Sequence, residues 1–371
     1  MKFNIFINNL IENININNIP REIDLILDGG AFNGGYQLGT LIYLKQLEEL
    51  NITKIKRISG TSIGSTLGLL YSLNKLHFAM DMSNKLWKCF REKLDISVFK
   101  EIVYEIIENM NKNDYKKLNN KLYITYFDNK RKKQIIKSKY KNNKQIAKYL
   151  IKSGFVPYII DGNLTYNNCI DGFYPYIFKK RNDRKRLFIK LASISFIKSM
   201  YTIKSEKNAY VRILYGINDI NCFFTNSKNT ELCNYIDNWN IIDIISFKMR
   251  YILAIIWLYY YDFLKYIYQI IQQLISQLHS LDSCHQNDYQ KDNIPHHDND
   301  IFHLNNSFYN SKYNKSSYTN ISSQNNSTFI NSSNIIILLQ KYIIIIKSIF
   351  NNIFYNIGNN MMRDIIHMNI C

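Results

Sequence analysis

Gly60-Thr61-Ser62-Ile63-Gly64 sets a serine between two glycines in a G-x-S-x-G pattern. On a sharp strand-to-helix turn, such a serine projects its Oγ clear of the backbone. Flanking glycines remove the Cβ atoms that would clash there. A helix that starts just after the serine directs its positive N-terminal end at developing negative charge. Five residues of this kind also arise by chance as a Gly/Ser turn, so the weight comes from what surrounds them. Upstream, Asp28-Gly29-Gly30-Ala31-Phe32-Asn33-Gly34-Gly35 crowds small residues together, so that backbone N–H groups can converge on an anion or oxyanion. A dinucleotide loop is the competing reading of that run. The acidic residue it needs about 20 positions on falls at Glu48 or Glu49, inside a predicted helix, which speaks against it. A turn without a ligand is the plainer alternative.

A serine nucleophile needs a base. The chain has His77, His279, His285, His296, His297, His303 and His367. Five lie in or beside a low-complexity stretch and one in the tail. Only His77 belongs to the better-patterned half, and it sits at the far end of the helix after the serine. A Ser-His-Asp triad is therefore poorly supplied. A carboxylate acting directly on the serine is the remaining option, and Asp171-Gly172 is the candidate, with Asp161-Gly162 as its local rival. Asp-Gly is a common turn dipeptide, so by itself the pair says little.

The elements that must position these groups follow from periodicity. Ile23–Leu27 is a short apolar run suited to a buried strand. A helix from about Gly35 to Leu50 follows, with Leu38, Leu41, Ile42, Leu44 and Leu47 as its contacts. Ile55–Ser59 reads as a second strand that turns at Gly60 into an apolar helix through Leu73. This alternation begins a parallel sheet. Further strands are predicted at Leu122–Phe127 and Leu187–Leu191. A helix over Lys144–Lys152 is predicted to end at Gly154 as its C′ residue.

Around this α/β part the sequence changes character. Residues 1–20 are a polar, Asn-rich lead-in with no cationic head or apolar core, so no secretory signal is expected. The α/β domain spans 21–230, and an apolar, Tyr- and Trp-rich helical segment spans 231–279. Arg250 and Asp262 bracket its most apolar run, which predicts a packed or interfacial helix and not a spanning one. Residues 280–333, rich in Ser, Asn, His and Tyr, read as a disordered linker. Residues 334–371, Ile-rich from Ile335 to Ile366, read as a helical tail.

Across its 371 residues the chain holds 47 Lys and Arg against 29 Asp and Glu, a formal charge of +18. That favours an anionic partner, whether nucleic acid or an acidic lipid surface. The runs Lys130–Lys133 and Lys179–Arg181 lack interleaved aromatics or a reading motif, so solvated loops explain them and no specific nucleic acid is expected. Cys89, Cys169, Cys222, Cys233, Cys284 and Cys371 form no C-x-x-C pair or framework spacing, which argues against a zinc ribbon or disulfide scaffold. An intracellular setting, cytoplasmic or peripheral to a membrane, fits best.

In order and spacing, these motifs resemble the patatin-like phospholipase family, with its D-G-G-G-x-R/K-G loop, G-x-S-x-G elbow and D-G-G/A motif. Here the loop lies at 28–35, the elbow at 60–64 and Asp171-Gly172 beyond them, over about residues 23–228. Ser153-Gly154-Phe155-Val156-Pro157 is similar to the family's small-residue-to-proline segment. The resemblance implies a three-layer α/β fold with a central, mostly parallel sheet, plus helices at the C-terminal side. It implies lipid acyl hydrolysis without metal or organic cofactor: Ser62 as nucleophile, Asp171 as proton acceptor, and Gly29, Gly30 and Ala31 as the oxyanion hole. Its substrate is a lipid ester; the excess positive charge and the apolar segment at 236–278 suit an anionic membrane surface, packing of that segment on the core being the alternative. Three positions depart from the pattern. Ala31 replaces a glycine, Asn33 replaces the basic residue, and Phe173 follows Asp171-Gly172, where it is expected to matter least. These departures keep a second reading alive, a catalytically silent lipid-binding or scaffold protein of the same fold.

Overall fold

The computed structural model describes residues 3–93, 95–157, 159–191 and 209–250, with isolated helical positions between 252 and 273. The expected linker at 280–333 and the expected tail at 334–371 lie outside the described residues. Two compact units divide the chain near residue 255, and the sheet and the site both belong to the first.

β1 (Glu22–Leu27) is buried along almost its whole length. Such near-continuous apolar runs mark strands covered on both faces. It pairs in parallel with β2 (Lys54–Thr61) on one side and with β6 (Lys185–Ile189) on the other. β2 pairs in parallel with β3 (Leu122–Asp128). Three antiparallel strands complete the sheet: β4 (Lys133–Lys137) and β5 (Cys169–Asp171) on β3, and β7 (Cys233–Tyr235) on β6. The spatial order is β4-β3-β2-β1-β6-β7, with β5 off this path. The chain thus runs outward from β1 in both directions, which makes the carboxyl end of β1 the topological switch point where open α/β sheets bind their ligands.

Side-chain alternation sorts the two faces of the sheet. Ile23, Leu25 and Leu27 join the main core with helices α1 (Asn4–Ile11), α2 (Gly34–Glu49), α3 (Ile63–Ser72) and α7 (Asn143–Ser153). Ile26 and Phe188 point the other way, into an aromatic cluster closed by Phe178, Ile236 and Phe247. Asp24 shares β1 with these apolar residues and is held by Arg57 and Arg184. Helices α4 (Phe78–Lys93), α5 (Phe99–Glu108) and α6 (Asp114–Leu118) lie between β2 and β3 in the chain. Two further helices, Tyr210–Asn226 and one over 241–250, follow the sheet's last parallel strand. The first crosses α2 closely: a Cβ at Gly39 would collide with the Ile213 carbonyl, and one at Gly216 with the Tyr36 carbonyl.

Three local expectations are adjusted by packing. β2 continues through Gly60 and Thr61, because both pair with β3, and the bend falls one step later, at Ser62. β6 lies two residues earlier than its apolar run, since register with β1 brings Lys185 and Arg186 into the ladder. Gly154 closes α7 at φ −99°, outside the left-handed region of a C′ glycine. It is needed for space, because a Cβ there would lie 2.6 Å from the Phe99 ring. The polar lead-in also carries structure: α1 buries Ile7 and Ile11 against the core, with Ile14 and Ile19 following.

Candidate active site

Register brings the motifs together. Leu27 pairs with Gly60 on one side and with Ile189 on the other, so the loop after β1, the bend after β2 and the chain after β6 leave the sheet side by side. Ser62 occupies the bend with φ 53° and ψ −129°, a strained conformation for a residue with a Cβ. The turn is locked from both sides. A Cβ at Gly60 would lie 2.5 Å from the Gly64 carbonyl oxygen, and one at Gly64 would lie 2.7 Å from the carbonyl oxygens of Leu27 and Asp28. Ser153, from the end of α7, completes the elbow. Its Oγ accepts the Ser62 N–H at 2.9 Å and lies 2.9 Å from the Ser65 Oγ.

Asp171 arrives by a route that β3 dictates. β4 occupies one edge of β3 over 124–128, and β2 occupies the other edge only as far as Thr125. β5 takes the vacant stretch beyond β2, pairing Asp171 with Tyr126, one step past the Thr61–Thr125 pair. The Asp171 N–H also donates to the Phe155 carbonyl at 3.0 Å. A distant Asp-Gly is thereby set at the mouth of the elbow, where the Ser62 side chain lies close enough to favour the ionised form of its carboxylate. The Phe173 N–H donates to Asp171 Oδ1 at 3.1 Å, and the Thr61 hydroxyl lies 3.4 Å from the same oxygen. Part of Asp171 is reached by solvent, yet its carboxylate is packed round by protein. That desolvation pushes its pKa up to about 6, against the Ser62, Phe173 and Thr61 hydrogen bonds, with the charge of Asp28 adding to the rise.

The rivals are placed elsewhere. Asp161 binds Lys100 and the Asn163 N–H, and these contacts hold its carboxylate below the usual range despite some desolvation. His77 is exposed in the turn just before α4 and rests on the Phe78 ring. Glu48, the acidic residue of the dinucleotide reading, accepts from the Ile55 N–H and the Tyr71 hydroxyl, each at 2.8 Å. It serves the fold.

The glycine-rich loop lies against the serine. A Cβ at Gly29 would stand 3.2 Å from Ser62 Cβ, and one at Gly30 would stand 2.6 Å from Leu191 Cβ. The three expected donors are not equivalent. The Gly29 N–H already donates to Asp28 Oδ1 at 3.1 Å. The N–H groups of Gly30 and Ala31 have no acceptor among the described residues. Asn33 is buried. Its carbonyl oxygen accepts from Arg212 Nη1 at 3.0 Å, so a guanidinium stands where the sequence shows only an uncharged residue.

Two departures carry conformational cost. Ala31 sits at φ 45° and Phe173 at φ 61°, in the region where a side chain costs about 1–2 kcal/mol. Phe173 bears this strain in its backbone and donates its N–H to Asp171 Oδ1. Ala31→Gly should stabilise the protein by about 1 kcal/mol, read as a higher urea midpoint at unchanged slope. An unchanged or lower midpoint would show that the loop does not need the left-handed conformation.

Sheet, elbow and loop together make a patatin-like α/β fold, with its site at the carboxyl edge of a mostly parallel sheet flanked by helices. Residues 25–190 match the family model described as patatin-like phospholipase, so the chain carries a patatin-like phospholipase domain. The proteins of this family are in general hydrolytic esterases that act on lipids. No curated protein matches the chain.

Proposed function

We propose that the protein is a phospholipase A-type lipid acyl hydrolase working through a Ser62–Asp171 dyad. The observation that carries this reading is the meeting of a serine hydroxyl on a strained elbow with a desolvated carboxylate whose pKa stands near 6. Asp171 takes the hydroxyl proton as Ser62 Oγ attacks the ester carbonyl. The carbonyl oxygen becomes an oxyanion, and the Gly30 and Ala31 N–H groups receive it. Collapse expels the alcohol, which regains the proton from Asp171, and leaves Ser62 acylated. Asp171 then deprotonates a water that attacks the acyl-enzyme, and as the intermediate collapses it passes that proton to the leaving Ser62 Oγ, which frees the fatty acid and restores the dyad. A carboxylate of ordinary pKa would be a feeble base. Raising it towards neutrality narrows the gap to the hydroxyl it must deprotonate.

The substrate reading is a lipid ester at an anionic membrane surface. The helix over 241–250 buries Ile244 and Phe247 and exposes Ile241, Ile242, Ile245 and Met249 on its other side. An apolar face on a chain of net charge +18 suits peripheral attachment to acidic lipid. Among the described residues, no helix is long and apolar enough to cross a membrane.

Release of fatty acid from vesicles of phosphatidylcholine and phosphatidylserine tests both parts. Asp171 is protonated below its pKa of about 6 and cannot then accept a proton. Turnover should therefore be level above neutrality and fall about tenfold per pH unit on the acid side. No fatty acid release at any pH would leave the silent scaffold as the better account.

A further inference from the structure

We infer that Arg250 and Arg212, two arginines beyond the matched 25–190 segment, are positioning residues that grip the glycine-rich loop from its two ends. This rests on the reading of Gly30 and Ala31 as oxyanion donors. At the front of the loop, the buried Asp28 carboxylate accepts from the Gly29 N–H through Oδ1. Through Oδ2 it accepts from the Leu191 N–H at 3.1 Å and Arg250 Nη1 at 2.7 Å. At the back, Asn33 accepts from Arg212, while its Nδ2 reaches the Leu191 carbonyl at 3.4 Å. Leu191 is thus held by its N–H and its carbonyl between two side chains, each backed by a guanidinium, and Gly30 rests on its Cβ.

This matters because the loop has little stiffness of its own. Gly29 and Gly30 can rotate a peptide at small cost, and rotation would re-aim the Gly30 N–H. The anchors oppose that. Loss of the Arg250 donor makes the buried carboxylate costlier to keep ionised, which weakens its hold on the Gly29 and Leu191 amides. Arg212 is buried against the rings of Tyr36 and Trp87, 5.5 and 5.4 Å from its guanidinium carbon. The close crossing at Gly39 and Gly216 brings its helix onto α2, within reach of Asn33. Both arginines act through Asp28 or Asn33.

Hydrogen–deuterium exchange of the full-length chain reads the loop directly and needs no turnover. In Arg250→Met the peptide covering 28–33 should exchange about tenfold faster, with the α3 and α7 peptides unchanged. Asn33→Ala cuts the Arg212 contact without emptying the space that the arginine fills, and should loosen the same peptide. On a short-chain nitrophenyl ester, kcat per fluorophosphonate-reactive Ser62 should fall about 10²-fold at nearly constant KM. Arg250→Lys, which keeps a charged donor for Oδ2, should restore most of it. Unchanged exchange at 28–33 in both Arg250→Met and Asn33→Ala would overturn the proposal, whether or not the protein is active. A wild type with wild-type exchange but no esterase activity would instead overturn the hydrolase reading.

Discussion

Ser62→Ala and Asp171→Asn should each lower kcat on lipid vesicles by about 10⁴-fold or more, because members of a dyad act as a unit and losing either removes the whole step. The two variants should differ in stability. A buried Asp171 with a pKa near 6 is harder to ionise in the folded chain than in the unfolded one. Its contribution to stability is therefore present at low pH and lost as pH rises through 6. At neutral pH the ionised form costs about 3 kcal/mol at most. Asp171→Asn removes that charge with little change of shape, so at pH 7.5 it should melt at or above the wild-type temperature while being inactive. Ser62→Ala leaves the carboxylate in place and removes a group that eases its ionisation, so it should melt at or slightly below the wild-type temperature. A melt lowered by many degrees in Asp171→Asn would mean that the carboxylate supports the fold, and its loss of activity would then carry no mechanistic weight.

Gly64→Ala should be the most damaging small substitution at the site. The added methyl would lie 2.7 Å from two carbonyl oxygens at the end of β1, and neither of these backbone atoms can swing aside as a side chain can. Either α3 moves off the sheet or β1 shifts, and both disturb the bend that holds Ser62. Overpacking of this kind typically costs about 1–3 kcal/mol or more. The expected result is a lower denaturation midpoint together with loss of labelling at Ser62. Gly162→Ala is a useful contrast, because nothing lies within 4 Å of the position and only its φ of 73° opposes a side chain. That variant should lose stability from backbone strain alone and keep its activity.

Much of the site was legible because it is local. The elbow and the loop each lie within eight residues, and each follows a buried strand whose apolar run is easily read. Asp171 could be singled out by its neighbour Gly172, but its arrival beside Ser62 depends on β5, a three-residue strand that fills the edge of β3 beyond β2. Nothing periodic in three residues announces that pairing. Ser153 lies in a segment visible for its small residues, yet its bond to the Ser62 N–H is a contact across 91 positions. Arg212 and Arg250 are less visible still. Each is one cation among many in a basic chain, and only the folding of two later helices onto the loop distinguishes them. Phe173 looked harmless because its side chain follows the carboxylate. What the structure adds is a backbone angle and an N–H to Asp171, which residue type alone does not disclose.

If Ser62 is a nucleophile set against a carboxylate base, an active-site-directed reagent must find it. The most direct measurement is reaction with a fluorophosphonate probe followed by mapping of the adduct by mass spectrometry. One adduct per chain is expected, on the peptide bearing Ser62, forming much more slowly in Asp171→Asn. An adduct on another serine, or labelling of Ser62 at the wild-type rate without Asp171, would contradict it.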